Sequence, residues 1–389
     1  MKTNLTLFPR VCFITNFISP YRASFFEKLC AIKEYEWLVI HGKKGKEDGR
    51  PSYHGSIHFP NFEVEYFESK IGPFSIRWQK GIIQRLNDWK PEVVITLGIP
   101  SILSNWLAMR WARKHGAKVI TWHAGWESQA GNRLILPIKH LITKIYLSMV
   151  DIVLVYSTKG KNYLTSIKKS KSSKMIVCYN GLEIDPLINK EEIIEAGGKE
   201  LRHQLSAVDM KIFLYVGGLI EEKKVPLLLQ AFSKLPDSSK NILWIVGDGP
   251  DSGKVNQLAK NLDLKNVKFW GRVIEDVDIY FSAADFFVMP GVGGLALNQA
   301  MFWKLPCIVS EADGTEDDLV IDSKTGFRFL PDDEKSLVLA MQKCLQLSDD
   351  ERTKMGSLGQ NLVVERSNVN EMVKTFITTI HNLATDGTR

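Results

Sequence analysis

The chain has 389 residues, of which 44% are hydrophobic and 24% charged, and its formal net charge at pH 7 is +6. That length predicts two domains, because single hydrophobic cores stop growing at roughly 250–300 residues. No apolar run approaches the ~20 residues of a membrane span, no secretory signal opens the chain, and the five cysteines are scattered, so we expect a cytoplasmic protein without a disulfide framework.

Short apolar runs alternate with helix-like segments in the first half of the chain. The predicted strands are 11–15, 36–40, 62–67 and 92–98, with further ones within 118–126, 151–157 and 175–184. The predicted helices begin near residues 20 and 158 or occupy 76–89, 101–115 and 135–148. Strands that alternate with helices are typical of a parallel sheet covered on both faces.

Residues 186–209 are charged, contain two adjacent glycines and show no strand pattern, so we predict a linker that includes a surface helix. The alternation of strands and helices then resumes. The predicted strands are 211–218, 266–271, 285–290 and 306–309, with a further strand and its turn within 241–250, and the predicted helices are 225–235, 254–262, 277–283 and 295–303. The fold class predicted is α/β, with two tandem doubly wound Rossmann-like domains that face each other across a cleft.

Glycine-rich turns follow three strands of the second half. Gly217 and Gly218 end the first and are followed by Lys223, Gly249 lies after the second, and Gly293 and Gly294 precede the 295–303 helix. A helix N-terminus offers free backbone N–H groups and positive dipole to an anion, and a nearby lysine adds charge. The pattern favours a cradle for a diphosphate, although an ordinary tight turn would show the same glycines.

Motifs for dinucleotide, phosphate-loop or metal chemistry are missing from the sequence or have a simpler interpretation. Neither a GxGxxG dinucleotide motif nor a GxxxxGK[ST] phosphate loop is present. Asp276 and Asp278 form a DxD pattern in front of a predicted helix, where acidic side chains stabilise the helix dipole, so we interpret them as capping residues. His41, His54 and His58 lack the spacing of a metal site.

Charge is distributed unevenly. Residues 1–185 hold 27 Lys and Arg against 14 Asp and Glu, whereas residues 186–389 hold 23 against 30. A basic first half indicates an anionic partner, either a membrane surface, an anionic substrate or a nucleic acid, unless it is only a solvated lysine-rich surface.

A series of segments carries a family resemblance. The segments are GGLIEEKK (217–224), IVGDGP (245–250), FWGRV (269–273), ADFFVMPG (284–291), GLALNQAM (294–301), KLPCIVS (304–310), SKTGFRF (323–329) and NGLEID (180–185). In order and spacing the segments from 217 onward resemble the donor-binding half of the family-4 retaining glycosyltransferases, the group 1 family. NGLEID resembles that family's segment just before the link between the two halves. The resemblance implies the two-domain GT-B fold. It assigns 1–185 to an acceptor-binding domain, 210–365 to a nucleotide-sugar donor-binding domain, and 366–389 to a C-terminal helix that crosses back to the first domain.

The resemblance also assigns roles to residues. Lys223 matches a diphosphate-contacting lysine, Gly294 and Leu295 match backbone amides that contact the donor phosphates, and His123 stands where the family often has a histidine near the reacting sugar. The partner arginine before the lysine is replaced by glycine. The two glutamates of the family's E-x7-E motif are replaced by Gly291 and Gln299. A glutamine can still hydrogen-bond ribose hydroxyls.

The function expected from this resemblance is a retaining, metal-independent hexosyltransferase that uses a UDP or GDP sugar and no cofactor. Its acceptor would be a saccharide or a lipid-linked saccharide of cell-surface polysaccharide biosynthesis, and we expect no nucleic-acid partner. Catalysis would involve Lys223 and His123, while Gly217, Gly218, Gly249, Gly293, Gly294, Leu295 and Gln299 would bind the donor. The alternatives are a non-catalytic GT-B binding or scaffold protein and a GT-B nucleotide-sugar epimerase. The cationic half predicts peripheral attachment at the inner face of the plasma membrane.

Overall fold

The computed structural model describes residues 9–43, 53, 55–71, 74–125, 136–168, 174–236, 240–312 and 314–386. The chain forms two compact units, one of Met1–Tyr179 with Val369–Arg389 and the other of Asn180–Asn368. Each unit contains a parallel sheet flanked by helices, so the predicted fold class of two Rossmann-like α/β units is confirmed.

The first unit is organised around a parallel sheet with the strand order β3-β2-β1-β6-β7-β8-β9. Its strands are β1 (Arg10–Thr15), β2 (Glu36–Gly42), β3 (Asn61–Val64), β6 (Val93–Leu97), β7 (Lys118–His123), β8 (Ile152–Val155) and β9 (Lys174–Val177). A separate antiparallel hairpin consists of β4 (Tyr66–Ile71) and β5 (Phe74–Gln79). Its helices are α1 (Pro20–Cys30), α2 (Ile82–Trp89), α3 (Leu103–His115), α4 (Leu136–Ser148), α5 (Thr158–Lys168) and α15 (Val369–Asp386).

Successive residues of β1 point into two different cores, because side chains alternate across a strand. Val11 and Phe13 belong to the core that includes α1 and α15, whereas Cys12 and Ile14 belong to the core under α3 and α4. The ring of Phe376 from α15 lies 5.9 Å from the ring of Phe13. The last helix of the chain therefore completes the core of the first unit.

The hairpin contradicts one prediction. Residues 76–89 were expected to form one helix, but only Ile82–Trp89 is helical and Phe74–Gln79 is a strand paired with β4. The rings of Phe67 and Trp78 stack across the pair with their centroids 5.0 Å apart. Cross-strand contacts of this kind stabilise a hairpin, and the chain enters α2 only after Gly81 adopts the left-handed conformation at its N-cap.

The second unit contains a parallel sheet with the order β12-β11-β10-β13-β14-β15. Its strands are β10 (Lys211–Val216), β11 (Asn241–Val246), β12 (Val267–Gly271), β13 (Phe286–Met289), β14 (Cys307–Ser310) and β15 (Gly326–Phe329). Its helices are α6 (Asp185–Ile188), α7 (Glu191–Gln204), α8 (Val225–Phe232), α9 (Ser252–Asn261), α10 (Val277–Ala283), α11 (Leu295–Phe302), α12 (Thr315–Leu319), α13 (Glu334–Leu345) and α14 (Asp349–Arg366).

The predicted linker, 186–209, lies inside the second unit and consists largely of α6 and α7. A Cβ atom on Gly198 would lie 2.3 Å from Oγ of Ser282, so the glycine lets α7 approach α10 closely. Arg202 then donates to the carbonyl of Ala283 at 2.9 Å and to Asp285 at 3.1 Å. The glycines and charged residues that suggested a linker therefore pack α7 against α10 inside the second unit.

Within the described part of the chain, no helix is both long enough and apolar enough to cross a bilayer.

Candidate active site

Three loops of the second unit meet at one edge of its sheet. Strand β10 lies between β11 and β13, and all three run parallel. The loops that follow them are 217–224, 247–251 and 290–294, and because carboxyl ends of parallel strands share an edge, these loops are neighbours. They contain every second-unit residue predicted to bind the donor except Leu295 and Gln299. Leu295 is the first residue of the helix after the third loop, and Gln299 lies further along the same helix.

Glycine is required where the first two loops approach each other. A Cβ on Gly247, which has φ +141°, would lie 1.8 Å from the carbonyl oxygen of Gly217, and one on Gly249 would lie 2.4 Å from the carbonyl of Leu219. The backbone N–H of Leu219 donates to the carbonyl of Asp248 at 3.0 Å. A side chain at 247 or 249 would separate the loops, so these glycines are explained by packing as well as by any ligand.

Lys223 connects the first loop to the third. It ends a short 3-10 turn, Glu221–Lys223, and its Nζ donates to the carbonyl oxygens of Val292 at 2.6 Å and Gly293 at 2.7 Å. In return, the N–H of Val292 donates to the carbonyl of Glu222 at 3.0 Å. The structure thus brings the predicted lysine to the predicted glycine-rich turn and fixes its ammonium group there.

Gly291 lets the first and third loops approach each other closely. A Cβ at this position would lie 2.1 Å from the carbonyl oxygen of Glu222 and 2.8 Å from the carbonyl carbon of Lys223. No real Cβ contact is that short, so any other residue would displace the backbone that carries the lysine. The position matching the first family glutamate is filled by the backbone of residues 222 and 223.

Helix α11 begins directly after this turn. Its N-cap is Gly294, which provides no side-chain cap. The ideal Cβ position of Gly294 lies 4.0 Å from Nζ of Lys223. The amides of Gly294 and Leu295, predicted to contact phosphate, therefore lie beside a lysine ammonium at the positive end of a helix dipole.

Gln299 has a partner that the sequence did not indicate. Its Nε2 donates to Oδ1 of Asp278 at 2.7 Å, and Nε1 of Trp303 donates to the same oxygen at 2.6 Å. Asp276 and Asp278 lie at the N-terminus of α10, where the capping interpretation expects them. Asp276 is the N-cap residue without a capping hydrogen bond, while the carboxylate of Asp278, in the first turn, is directed at α11. Because Asp278 only accepts, Gln299 must present its amide nitrogen to it and keeps Oε1 for a hydroxyl donor such as ribose.

Replacing Gln299 with alanine should raise the Michaelis constant for the donor more than it lowers turnover. One neutral hydrogen bond contributes ~0.5–1.5 kcal/mol, or roughly two- to tenfold, and a ribose contact is made equally in the ground and transition states. Steady-state kinetics over a range of donor concentrations measures both constants. The control is Gln257→Ala on α9, since Gln257 bonds only its helix neighbour Asn261 among described contacts. A drop in turnover at an unchanged Michaelis constant would contradict the ribose assignment.

His123 belongs to the first unit, at the end of β7, and is buried. The backbone N–H of Gly125 donates to its Nδ1 at 2.8 Å, so the neutral ring carries its proton on Nε2. Burial lowers the pKa of His123 to about 4, which leaves the ring neutral at pH 7. A neutral imidazole whose Nδ1 already accepts a hydrogen bond can still donate one through Nε2. Any catalytic role of His123 is therefore that of a hydrogen-bond donor.

His123 also lines a cavity of about 1040 Å³ within the first unit. Residues that the sequence analysis did not select lie beside it, above all Arg22, Trp122 and Tyr156. The helix that starts at Ser19–Pro20 is the first one after β1, and Arg22 lies in its first turn. The sequence therefore places Arg22 at the carboxyl edge of the sheet, where ligands bind in such folds, and could have indicated it as a site residue. Trp122 and Tyr156 carried no comparable signal, because aromatic residues at strand ends are most often core.

Among the residues that the structure describes, no three His, Cys, Asp or Glu side chains cluster in a way that could hold a metal ion.

The sequence matches two family models. Residues 199–362 match "Glycosyl transferases group 1", and residues 38–186 match "Glycosyltransferase Family 4". An uncharacterized glycosyltransferase of Methanocaldococcus jannaschii, MJ1059, is 26% identical over 196 residues, which are 48% of this chain and 46% of that protein. The match thus spans about half the length of that curated relative.

Solved structures match over the whole chain. The Anabaena protein Alr3699/HepE, solved in complex with UDP, has a TM-score of 0.73 at 15% identity and covers 96% of this chain and 100% of its own. The lipopolysaccharide outer core galactosyltransferase WaaB, in its apo form, has a TM-score of 0.70 at 14% identity, with 96% and 99% covered. These likenesses concern the fold, and the family models concern the sequence over both units. The chain belongs to the group 1 glycosyltransferases and has their GT-B fold.

Proposed function

We propose that this transferase moves a sugar from a UDP or GDP donor to a saccharide or lipid-linked saccharide acceptor in cell-surface polysaccharide biosynthesis. The anomeric configuration of the donor is retained, and no metal is needed. The observation that carries the proposal is the placement of Lys223 against the turn that opens α11, where its Nζ lies 2.7 Å from the carbonyl of Gly293. An ammonium group, free helix amides and a glycine turn together favour a diphosphate.

The same groups suit the chemistry of transfer. In an oxocarbenium-like transition state the departing diphosphate gathers negative charge, and donors already directed at that charge stabilise it without reorganising. Lys223 and the first amides of α11 are the groups proposed for this role. The proton of the incoming hydroxyl would pass to the leaving phosphate oxygen on the same face of the sugar. HepE was solved with UDP, which supports a uridine nucleotide as the first donor to test.

The decisive experiment measures release of nucleoside diphosphate from a panel of UDP and GDP sugars with candidate acceptors. We expect release to depend on an acceptor and to survive EDTA, and NMR of the product to show the donor's anomeric configuration. A product with the opposite anomeric configuration would contradict the proposed retaining mechanism. Activity that EDTA abolishes and Mg²⁺ or Mn²⁺ restores would contradict metal independence. Thermal shifts with the bare nucleotides identify the base, because a ligand that binds only the folded state stabilises it by mass action.

We further propose that the first unit attaches to an anionic membrane from the cytoplasmic side. Helices α3 and α4 are neighbours, since the rings of Trp106 and Tyr146 lie 5.1 Å apart. Both helices carry exposed apolar side chains, which together are termed the helix-pair surface: Leu103, Leu107, Leu136, Ile138, Leu141 and Ile145. Exposed Arg110, Lys114 and Lys144 lie on the same two helices, and neither helix contains an acidic residue. Apolar residues framed by cations are typical of a helix that lies in the interface of an anionic bilayer.

Flotation with liposomes tests this attachment. The wild type should float with phosphatidylglycerol vesicles at low salt and much less with neutral phosphatidylcholine, since each nearby cation contributes ~1 kcal/mol. The double variant Leu107→Gln/Leu141→Gln should lose roughly tenfold or more in membrane affinity with its charges unchanged, because both side chains are over half exposed, at 53% and 57%, and lose their apolar insertion. The control is Leu339→Gln in the second unit, 59% exposed. Equal flotation with neutral and anionic vesicles, or equal binding by double variant and control, would contradict the proposal.

A further inference from the structure

The cavity of the first unit has an unusual balance of charge. Arg22, Arg77 and Lys139 lie among the described residues that line it, and no aspartate or glutamate does. Arg77 is neutralised from outside the lining by Glu68, whose Oε1 lies 2.8 Å from its Nη2. Arg22 and Lys139 have no ion-pair partner within the described ranges. The cavity is therefore cationic over a mostly apolar wall.

Arg22 is held in place by aromatic rings. Its guanidinium carbon lies 3.9 Å from the ring centroid of Trp122, and Nη2 donates to the hydroxyl of Tyr156 at 3.1 Å. A guanidinium that stacks on an indole and donates to a phenol keeps its full charge, because neither neighbour carries a negative one. The side chain is fixed in direction and has no counter-charge among the residues that the structure describes.

Two N–H donors beside this cavity are buried and unsatisfied. Nη1 of Arg22 and Nε1 of Trp122 have no hydrogen-bond partner in the described structure. Leaving a buried donor unpaired is costly, more so for a charged group, so an acceptor atom of a ligand at this place would offset that cost. His123, whose remaining ring proton is on Nε2, adds a neutral donor to the same wall. Arg22, Trp122 and His123 thus each offer an N–H donor in this region.

We infer that this cavity binds an oxyanion, a phosphate or a carboxylate, with Arg22 as its principal ligand and Trp122 and Lys139 as further donors. Resting on the proposed function, the oxyanion belongs to the acceptor, which is then an acidic saccharide or a lipid-linked phosphate and not a neutral sugar. A planar guanidinium binds phosphate and carboxylate alike through two parallel N–H bonds. The apolar remainder of the wall suits a sugar ring face or the first carbons of a lipid chain.

Paired probes that differ in charge test the inference on the intact protein by isothermal titration calorimetry. The lipid arm compares n-octyl phosphate with n-octyl glucoside below their micelle concentrations, and the saccharide arm compares methyl glucuronide with methyl glucoside. We expect the charged member of at least one pair to bind at least tenfold more tightly, and the arm that responds identifies the source of the oxyanion. Equal affinity within both pairs would overturn the inference without any variant.

Variants of Arg22 then locate the site. Arg22→Gln should weaken the charged probe by roughly ten- to hundredfold, the loss expected for one charge-assisted hydrogen bond, while Arg22→Lys keeps part of the affinity. The control is Arg366→Gln, an exposed arginine at the end of α14. If Arg22→Gln does not fold, Lys139→Gln serves instead with a smaller expected loss, because Lys139 is only half-buried. Unchanged affinity in a folded Arg22→Gln would overturn the assignment.

A separate titration with UDP keeps this inference distinct from the proposed function. UDP binding that Lys223→Met weakens, together with no preference for charged acceptor probes, would support the transferase proposal and contradict the oxyanion site. If charged probes bind through Arg22 but neither UDP nor GDP binds, the oxyanion site would be supported and the transferase proposal contradicted.

Discussion

Replacing Lys223 with methionine should lower sugar transfer roughly ten- to hundredfold. A charge-assisted hydrogen bond to phosphate contributes ~1.5–3 kcal/mol, and methionine keeps the length of the side chain but removes the charge. The loss should appear in both turnover and donor affinity, because the diphosphate is already charged in the ground state and gains charge in the transition state. Transfer kinetics measure the first and calorimetry with the nucleoside diphosphate measures the second.

Lys223 also has a structural role, so stability must be followed in parallel. Its Nζ bonds to the carbonyls of Val292 and Gly293 would be lost, and the melting temperature should fall slightly. Lys260→Met, at the end of α9, is the control for removing one positive charge. A folded Lys223→Met protein that transfers sugar at the wild-type rate would show that the phosphate is bound elsewhere.

Gly291 should tolerate no side chain. Alanine there would place Cβ 2.1 Å from the carbonyl oxygen of Glu222, and the backbone that carries Lys223 would have to move. Overpacking of this kind costs about 1–3 kcal/mol, and the displaced lysine adds its own loss to activity. We expect Gly291→Ala to reduce transfer at least as much as Lys223→Met and to lower the melting temperature, and Gly291→Glu to do more of both. Gly253→Ala in α9 is the matched control, since a Cβ there meets nothing within 4 Å.

The Gly291→Glu variant also distinguishes an active enzyme from a protein that has lost catalysis. If the wild type is a transferase that evolved around a glycine, the family's glutamate at 291 disrupts a backbone contact and lowers activity on the native donor. If the glycine instead marks lost catalysis, Gly291→Glu would restore it. An inert wild type beside an active Gly291→Glu protein would contradict the proposal that this chain catalyses transfer, and would favour the non-catalytic binding protein.

Much of the fold and half of the candidate site follow from local sequence. Alternating apolar runs and helix signals predict both parallel sheets, because strand and helix periodicity are properties of neighbouring residues. The glycine turns at 217, 249 and 293 could be assigned to strand ends, and strand ends of a parallel sheet meet at one edge. That logic also places Lys223 beside the start of α11.

Other features depend on residues far apart in the chain. Phe74–Gln79 is a strand only because Tyr66–Ile71 pairs with it, and a helical pattern in the sequence cannot reveal that partner. The 186–209 segment is polar because α7 buries just one face. Gly198 is needed there because Ser282, about 84 residues later in the chain, packs against it. Asp278 looks like a helix cap until α11 brings Gln299 and Trp303 to its carboxylate.

The proposed oxyanion site shows most clearly what local sequence cannot predict. Arg22 lies in α1, Trp122 in β7 and Tyr156 after β8, and the hydrogen bond between Arg22 and Tyr156 spans 134 residues. Each residue by itself is an ordinary surface cation or core aromatic. The sequence determined that this chain has two Rossmann-like units and a glycine-rich turn in front of α11, because those depend on short-range periodicity and glycine. Only the tertiary structure decided which donors meet without an acceptor, because an unpaired hydrogen bond is a property of everything that surrounds an atom.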